Sequence, residues 1–143
     1  GMKVKVLSGI EIEPLAERMS GMRAIEYLNK GNIVIIAGGT GNPFFTTDSA
    51  AALRAIEVQA DVLLKGTRVN GVYSADPEKH PDAVKYDHLT FDEAYKKNLA
   101  IMDMTAFTLC KENKMALVVY NAERKGNLLK IIEGHEIGSL VTV

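Results

Sequence analysis

The sequence has no tryptophan and a single cysteine, Cys110. One cysteine excludes an internal disulfide and fits a reducing compartment, so a cytoplasmic location is expected. Aromatic residues make up only 6% of the chain, and no basic stripe with interleaved aromatics occurs, which argues against nucleic acid as a partner. Neither charge sign dominates: 17 Lys+Arg stand against 18 Asp+Glu, for a net charge of -1. Apolar runs end after about five residues where a membrane helix needs roughly 20, so no membrane partner is expected. Lys3 and Lys5 are not followed by an apolar stretch of signal-peptide kind. Gly1 ahead of Met2 has the look of a tag-cleavage scar. No repeat, low-complexity tract or Pro/Gly-rich linker interrupts the 143 residues, so residues 1–143 read as one domain.

What is present is an alternation of strand and helix patterns. Val4 to Leu7 alternates at period two. Met22, Ile25 and Leu28 repeat at helical spacing, with Gly31 as a stop. Ile33 to Ala37 is apolar on both faces, as in a parallel strand covered on two sides. A helix is predicted over residues 49–59 with Thr47 or Asp48 as its cap, then a strand over residues 61–65. Residues 66–87 carry turn chemistry. Thr90-Phe91-Asp92-Glu93 has the capping-box form and opens a helix to about Asn98. A helix after Asp103, a strand over 116–120, a helix over 127–133 stopped by Gly134 and a strand over 140–143 complete the pattern. Alternation at this spacing predicts α/β architecture, a mainly parallel sheet with helices on both faces.

Ligands in such folds gather beyond the carboxyl ends of strands, and two segments leave such ends. The first is Gly38-Gly39-Thr40-Gly41-Asn42-Pro43-Phe44-Phe45-Thr46-Thr47-Asp48-Ser49. Its glycines allow close approach of a ligand to backbone, its hydroxyls and amide suit sugar and phosphate, and it opens a helix. Two phenylalanines beside so many polar groups suggest buried aromatic packing. A tight strand-to-helix turn with a Thr or Asp cap is the competing reading. Neither common nucleotide fingerprint is met: Phe44 occupies the place of the third glycine in G-x-G-x-x-G, and no G-x-x-x-x-G-K-[ST] occurs. The second segment runs from Leu64 to Pro77. Lys65 ends a buried strand and could neutralise phosphate oxygens. Tyr73 offers a flat face for a base and Asp76 an acceptor for ribose hydroxyls; a solvated lysine and a turn tyrosine are the alternative. Asp103 reads most simply as a helix cap. His80, His88 and His135 are expected at the surface without metal-ligand spacing, Cys110 inside a helix as a small core residue, and the methionines at core positions.

These segments, with residues 60–67, Gly71 to Pro77, Ile101-Met102-Asp103, Asn121 and the closing residues 136–141, resemble bacterial uridylate (UMP) kinases of the amino acid kinase fold. That resemblance implies phosphoryl transfer from ATP to UMP with Mg2+, and a homo-oligomer, a hexamer in that family. It places Thr40, Gly41, Asn42, Pro43, Phe44, Phe45, Thr46 and Thr47 around UMP. Thr67, Tyr73 and Asp76 would hold ATP, and Lys65, Asp48 and Asp103 would form the catalytic polar set. Asn70 departs from the family's usual aspartate before Gly-Val. The resemblance covers the family's C-terminal part, somewhat over half of it. The family's first phosphate-gripping strand end has only an imitation at Lys5 to Glu11. There the spacing is wrong by one residue, which reverses the face of a strand side chain. The chain alone is therefore expected to bind nucleotide weakly and to transfer phosphate poorly. A non-catalytic binding or assembly module, and a kinase of carboxylates or carbamates, remain open alternatives.

Overall fold

The computed structural model describes residues 1–143, which fall into two compact units, Gly1–Ala60 and Asp61–Val143. The first contains β1 (Val4–Ser8), β2 (Glu17–Arg18), α1 (Gly21–Asn29), β3 (Ile33–Ala37) and α2 (Thr47–Glu57). Its three strands are parallel in the order β2-β1-β3, with Leu7 opposite Ile36 and Ser8 opposite Ala37. One face carries Leu7, Val34 and Ile36 against Met19, Ala24, Tyr27 and Val58, and this is the unit's core. Lys5, on that same face by alternation, lays its ammonium 5.0 Å from the Tyr27 ring centroid, which occupies it structurally. The opposite face departs from expectation. Val4, Val6, Ile33 and Ile35 are 43–49% exposed, so the apolar run of β3 has cover on one side only.

Helix α2 begins earlier than its sequence pattern indicates, and its cap is Thr46 rather than Thr47 or Asp48. The Thr46 hydroxyl accepts from the N–H groups of Asp48 and Ser49 at 3.1 and 3.2 Å. Asp48 sits in the first turn, where a carboxylate is favoured by the helix dipole.

The second unit holds β4 (Val62–Thr67), β5 (Val72–Tyr73), β6 (Lys85–Tyr86), β7 (His88–Thr90), α3 (Phe91–Lys96), α4 (Met104–Glu112), β8 (Ala116–Asn121), α5 (Asn127–Ile132) and β9 (Ser139–Thr142). Its sheet runs β4-β8-β9-β7, with β4 parallel to β8, β7 parallel to β9, and β8 antiparallel to β9. Leu117, Val119 and Val141 are buried, and Phe91 meets Phe107 edge to face at 5.1 Å. Cys110 is fully buried on α4, as expected of a small core residue. The methionines divide: Met19 and Met115 are buried, whereas Met2, Met22 and Met104 are exposed. The expectation of core positions thus holds for Met19 and Met115 and not for Met2, Met22 and Met104.

The predicted capping box on α3 is present in full. Thr90 Oγ1 accepts from Glu93 N–H, and the Glu93 carboxylate accepts from Thr90 N–H at 2.7 Å. That backbone hydrogen bond, followed by the one from the Thr90 hydroxyl, holds the Glu93 carboxyl below its usual 4.5. A lowered carboxyl contributes stability above its unfolded value and loses that contribution as pH falls through the folded one. The melting temperature of Glu93→Gln should therefore fall less than that of the parent chain between about pH 5 and pH 3. Parallel Tm–pH curves for the two proteins would refute this.

Candidate nucleotide sites

The glycine loop of the first unit is built from backbone packed on backbone. Gly38, Gly39 and Gly41 all have positive φ, and the Gly41 N–H closes a turn on the Gly38 carbonyl at 3.1 Å. A Cβ on Gly9, just after β1, would lie 2.6 Å from the Gly39 carbonyl oxygen. One on Gly41 would lie 2.2 Å from the Gly9 carbonyl oxygen. Thr40 Oγ1 accepts from Asn42 N–H at 3.1 Å, which orders the tip of the turn. Residues 41–47 are exposed, including both phenylalanines. Phe44 is fully exposed with φ 69°, a conformation rare for a bulky side chain, and Phe45 is 54% exposed. The expectation of buried aromatic packing is thus corrected: the rings stand exposed on a loop whose residues 41–47 are all exposed.

In the second unit, Thr67, Tyr73 and Asp76 line one cavity of about 370 Å³ with Val69, Gly71 and Val119. Its other wall is Asn98 to Ile101. Register explains the placement. Side chains alternate along β4, so Lys65 shares the face of Thr67, and it pairs with Val119, which also lines the cavity. Lys65 is half-buried on that face, next to the cavity but not part of its lining. The Thr67 hydroxyl is engaged locally, accepting from Val69 N–H at 3.2 Å and lying 2.9 Å from the Val69 carbonyl oxygen. Asp76 Oδ1 accepts from Glu78 N–H at 3.0 Å, and its other carboxylate oxygen lies 3.6 Å from Lys79 Nζ. Tyr73 stands half-buried at the cavity mouth on the short β5–β6 hairpin. That hairpin is tied to the sheet by the buried Ser139, whose hydroxyl accepts from Val72 N–H at 2.7 Å and donates to the Tyr86 carbonyl.

Asp103 caps α4 by accepting from Ala106 N–H at 3.0 Å, as its simplest reading held. Asp48 is half-buried in the first turn of α2. His80, His88 and His135 are exposed, and no group of three or more His, Cys, Asp or Glu is arranged to hold a metal ion.

Three contributors were not read as site residues, although Asn121 is among the positions that carry the resemblance. Asn98 to Ile101 form a cavity wall because Asn98 leaves α3 with φ 53°; an asparagine just past a helix end was the available signal. Asn121, at the end of β8, is 9% exposed and organises the loop after β4. Its amide donates to the Arg68 carbonyl at 2.8 Å and reaches Asn70 Oδ1 at 3.3 Å. Its Oδ1 accepts from the N–H groups of Glu123 and Arg124. Asn70 thus acts as an acceptor, a role its amide oxygen fills without a charge. Asn121→Asp keeps size and acceptor but cannot donate, so it should cost about 1–3 kcal/mol in a denaturant titration. An unchanged midpoint would show that the loop does not depend on Asn121. The third contributor, Arg54, reaches the glycine loop from α2.

Sheets of largely parallel strands, with a glycine-rich loop after β3 and a lysine within β4, fit the comparisons with known proteins. The model of the amino acid kinase family matches residues 1–121, and the chain belongs to that family. Within it, the chain is 53% identical over 141 residues to a uridylate kinase of Parabacteroides distasonis and 52% identical to that of Bacteroides thetaiotaomicron. Each match covers 99% of this chain and 60% of the relative, so the chain spans about 60% of the length of the curated relatives it matches, their C-terminal part. The crystal structure of UMP kinase from Bacillus anthracis superposes with a TM-score of 0.94 at 32% identity, covering 99% of this chain and 58% of that one. UMP kinase from Ureaplasma parvum gives 0.92 at 36% identity, covering 99% and 61%.

Proposed function

We propose that this chain is the nucleotide-binding part of a UMP kinase, which transfers the γ-phosphoryl group of ATP to UMP to give UDP and ADP. The observation that carries this reading is the gathering of Thr67, Tyr73 and Asp76 around one cavity, with Lys65 on the same strand face. In that cavity Tyr73 stacks on the base, Asp76 accepts from ribose, and Lys65 faces the phosphates. The Thr40–Thr47 loop receives UMP, with backbone N–H groups and threonine hydroxyls toward the nucleotide and the exposed Phe44 and Phe45 rings available to cover it. Asp48, in the first turn of α2, and Asp103, the cap of α4, are the carboxylates assigned to the catalytic polar set. Phosphoryl transfer needs little covalent chemistry from the protein, so positioning and charge neutralisation carry the rate. Magnesium, which supplies charge neutralisation when bound with ATP, takes mostly phosphate and water oxygens and one or two carboxylates, so it requires no cluster in this chain. Nucleotides, not nucleic acid or membrane, are the proposed partners; no helix is long and apolar enough to cross a membrane.

The test is a thermal-shift screen followed by a coupled ADP-release assay. UMP and ATP should each raise Tm, with UMP-dependent ADP release slower than that of a full-length relative. Stabilisation by carboxylates or carbamate, with none by UMP, would contradict the reading.

A second reading, an assembly module, is favoured by the uncovered apolar face of Val4, Val6, Ile33 and Ile35. Exposed apolar patches promote association, as a homo-oligomer requires. A concentration-independent monomer in light scattering would remove it.

A further inference from the structure

Helix α2 carries one basic residue, Arg54, and nothing about its position in an alanine-rich helix marks it as functional. Its side chain is only 14% exposed. One guanidinium nitrogen donates to the Gly39 carbonyl at 3.1 Å and reaches the Thr40 carbonyl at 3.3 Å. The other donates to Glu57 at 2.7 Å, which neutralises the charge one turn further along α2. Ala50, one turn before Arg54, faces the same loop: a Cβ on Gly39 would lie 3.9 Å from the Ala50 methyl. Helix α2 therefore grips the loop on one side, while Gly9 packs against it on the other.

A peptide plane couples these contacts to the loop's donors. In a trans peptide the C=O of one residue and the N–H of the next point in opposite directions. Drawing the Gly39 and Thr40 carbonyls to the guanidinium therefore turns the N–H groups of Thr40 and Gly41 away from it. The Gly41 N–H closes the turn on Gly38, and the backbone hydrogen bonds of the loop leave the Thr40 N–H unused. Two carbonyls that would repel an anion are masked by one guanidinium nitrogen while the other holds Glu57, a division that a single ammonium would match poorly.

We infer that Arg54 is a positioning residue for the glycine loop: without touching the ligand, it withdraws two backbone carbonyls so that the loop presents the Thr40 N–H to an anionic oxygen. The inference rests on the reading of this loop as the UMP site for the identity of the anion, a nucleoside monophosphate phosphate, but not for the geometry of the loop.

The experiment uses the full chain with Arg54→Ala and Arg54→Lys, and two readouts. Hydrogen exchange of the Gly41 amide, which closes the turn on Gly38, should accelerate about tenfold in Arg54→Ala, a loss of about 1.4 kcal/mol in the protection of the loop. The amides of β1 and β3 should keep their rates. In calorimetry UMP should bind about tenfold more weakly with ATP affinity unchanged, since the same 1.4 kcal/mol is tenfold in an equilibrium constant. Millimolar methylguanidinium should restore both readouts in Arg54→Ala, and Arg54→Lys should fall between. Unchanged loop exchange, acceleration spread evenly over the whole unit, or failure of methylguanidinium to slow the loop would overturn the inference. If the parent chain binds no UMP, the UMP-site reading fails, and the exchange data alone decide the role of Arg54.

Discussion

Lys65→Met raises the ATP dissociation constant by roughly 10- to 100-fold and leaves adenosine binding unchanged: this is the result expected if Lys65 meets the phosphates. A hydrogen bond to a charged group contributes about 1.5–3 kcal/mol, and methionine keeps most of the stem's packing while removing the charge. The geometry supports a local effect. Lys65 shares its strand face with Thr67 and pairs with Val119, both of which line the cavity beside Tyr73 and Asp76. Its alternating neighbours Val62 and Leu64 face the other way, toward a separate groove with Val118 and Leu140. Competition titrations with ATP, ADP, AMP and adenosine measure the effect directly. A uniform loss across the four ligands would mean that Lys65 shapes the cavity rather than reads phosphate.

Gly41→Ala is expected to have the largest effect on the first unit. The residue has φ 78°, and its added Cβ would lie 2.2 Å from the Gly9 carbonyl oxygen, so backbone rather than a flexible side chain has to move. Backbone strain and forced repacking each cost about 1–3 kcal/mol, so a loss of roughly 2–6 kcal/mol is expected. The loop then separates from Gly9, and UMP binding is lost while the cavity lined by Thr67 and Tyr73 keeps its ATP affinity. Denaturant titration and paired UMP and ATP calorimetry check both halves of the statement. A variant of parental stability that still binds UMP would show that the close packing of Gly9 on the loop is dispensable.

Much of this could be read from residue order because local chemistry and tertiary fold agree. The Ile33 run, the Thr90–Glu93 capping box and the Asp103 cap each carry their own short-range cause, and each stands where that cause puts it. What escaped depends on distant partners. The two-residue strands β2 and β5 exist because Leu7 and Ser8 pair with Glu17 and Arg18, and because Ser139 pins Val72 from far along the chain. Period-two alternation carries no strand direction, so the antiparallel β8–β9 pair within a mostly parallel sheet was not legible. Nor does an apolar pattern say whether a face is covered, which is why Ile33 and Ile35 were expected inside.

The candidate site shows the same division. Tyr73 and Asp76 were legible as residue types that suit a nucleotide, Thr67 only through the family resemblance, and the fold brings those three to one cavity. Arg54 and Asn121 were not legible as site residues from chemistry alone, since their work is done on backbone carbonyls fourteen to 53 positions away in sequence. Such side chains are found from the groups they satisfy, not from a motif.

Calorimetric titration of the full chain with UMP and with ATP in the presence of Mg2+, repeated on Gly41→Ala and Lys65→Met, tests the central claim most directly. Two distinct sites predict a crossed result: Gly41→Ala loses UMP and keeps ATP, and Lys65→Met loses ATP and keeps UMP. Absence of binding by the parent chain, or loss of both nucleotides in both variants at unchanged stability, would contradict it.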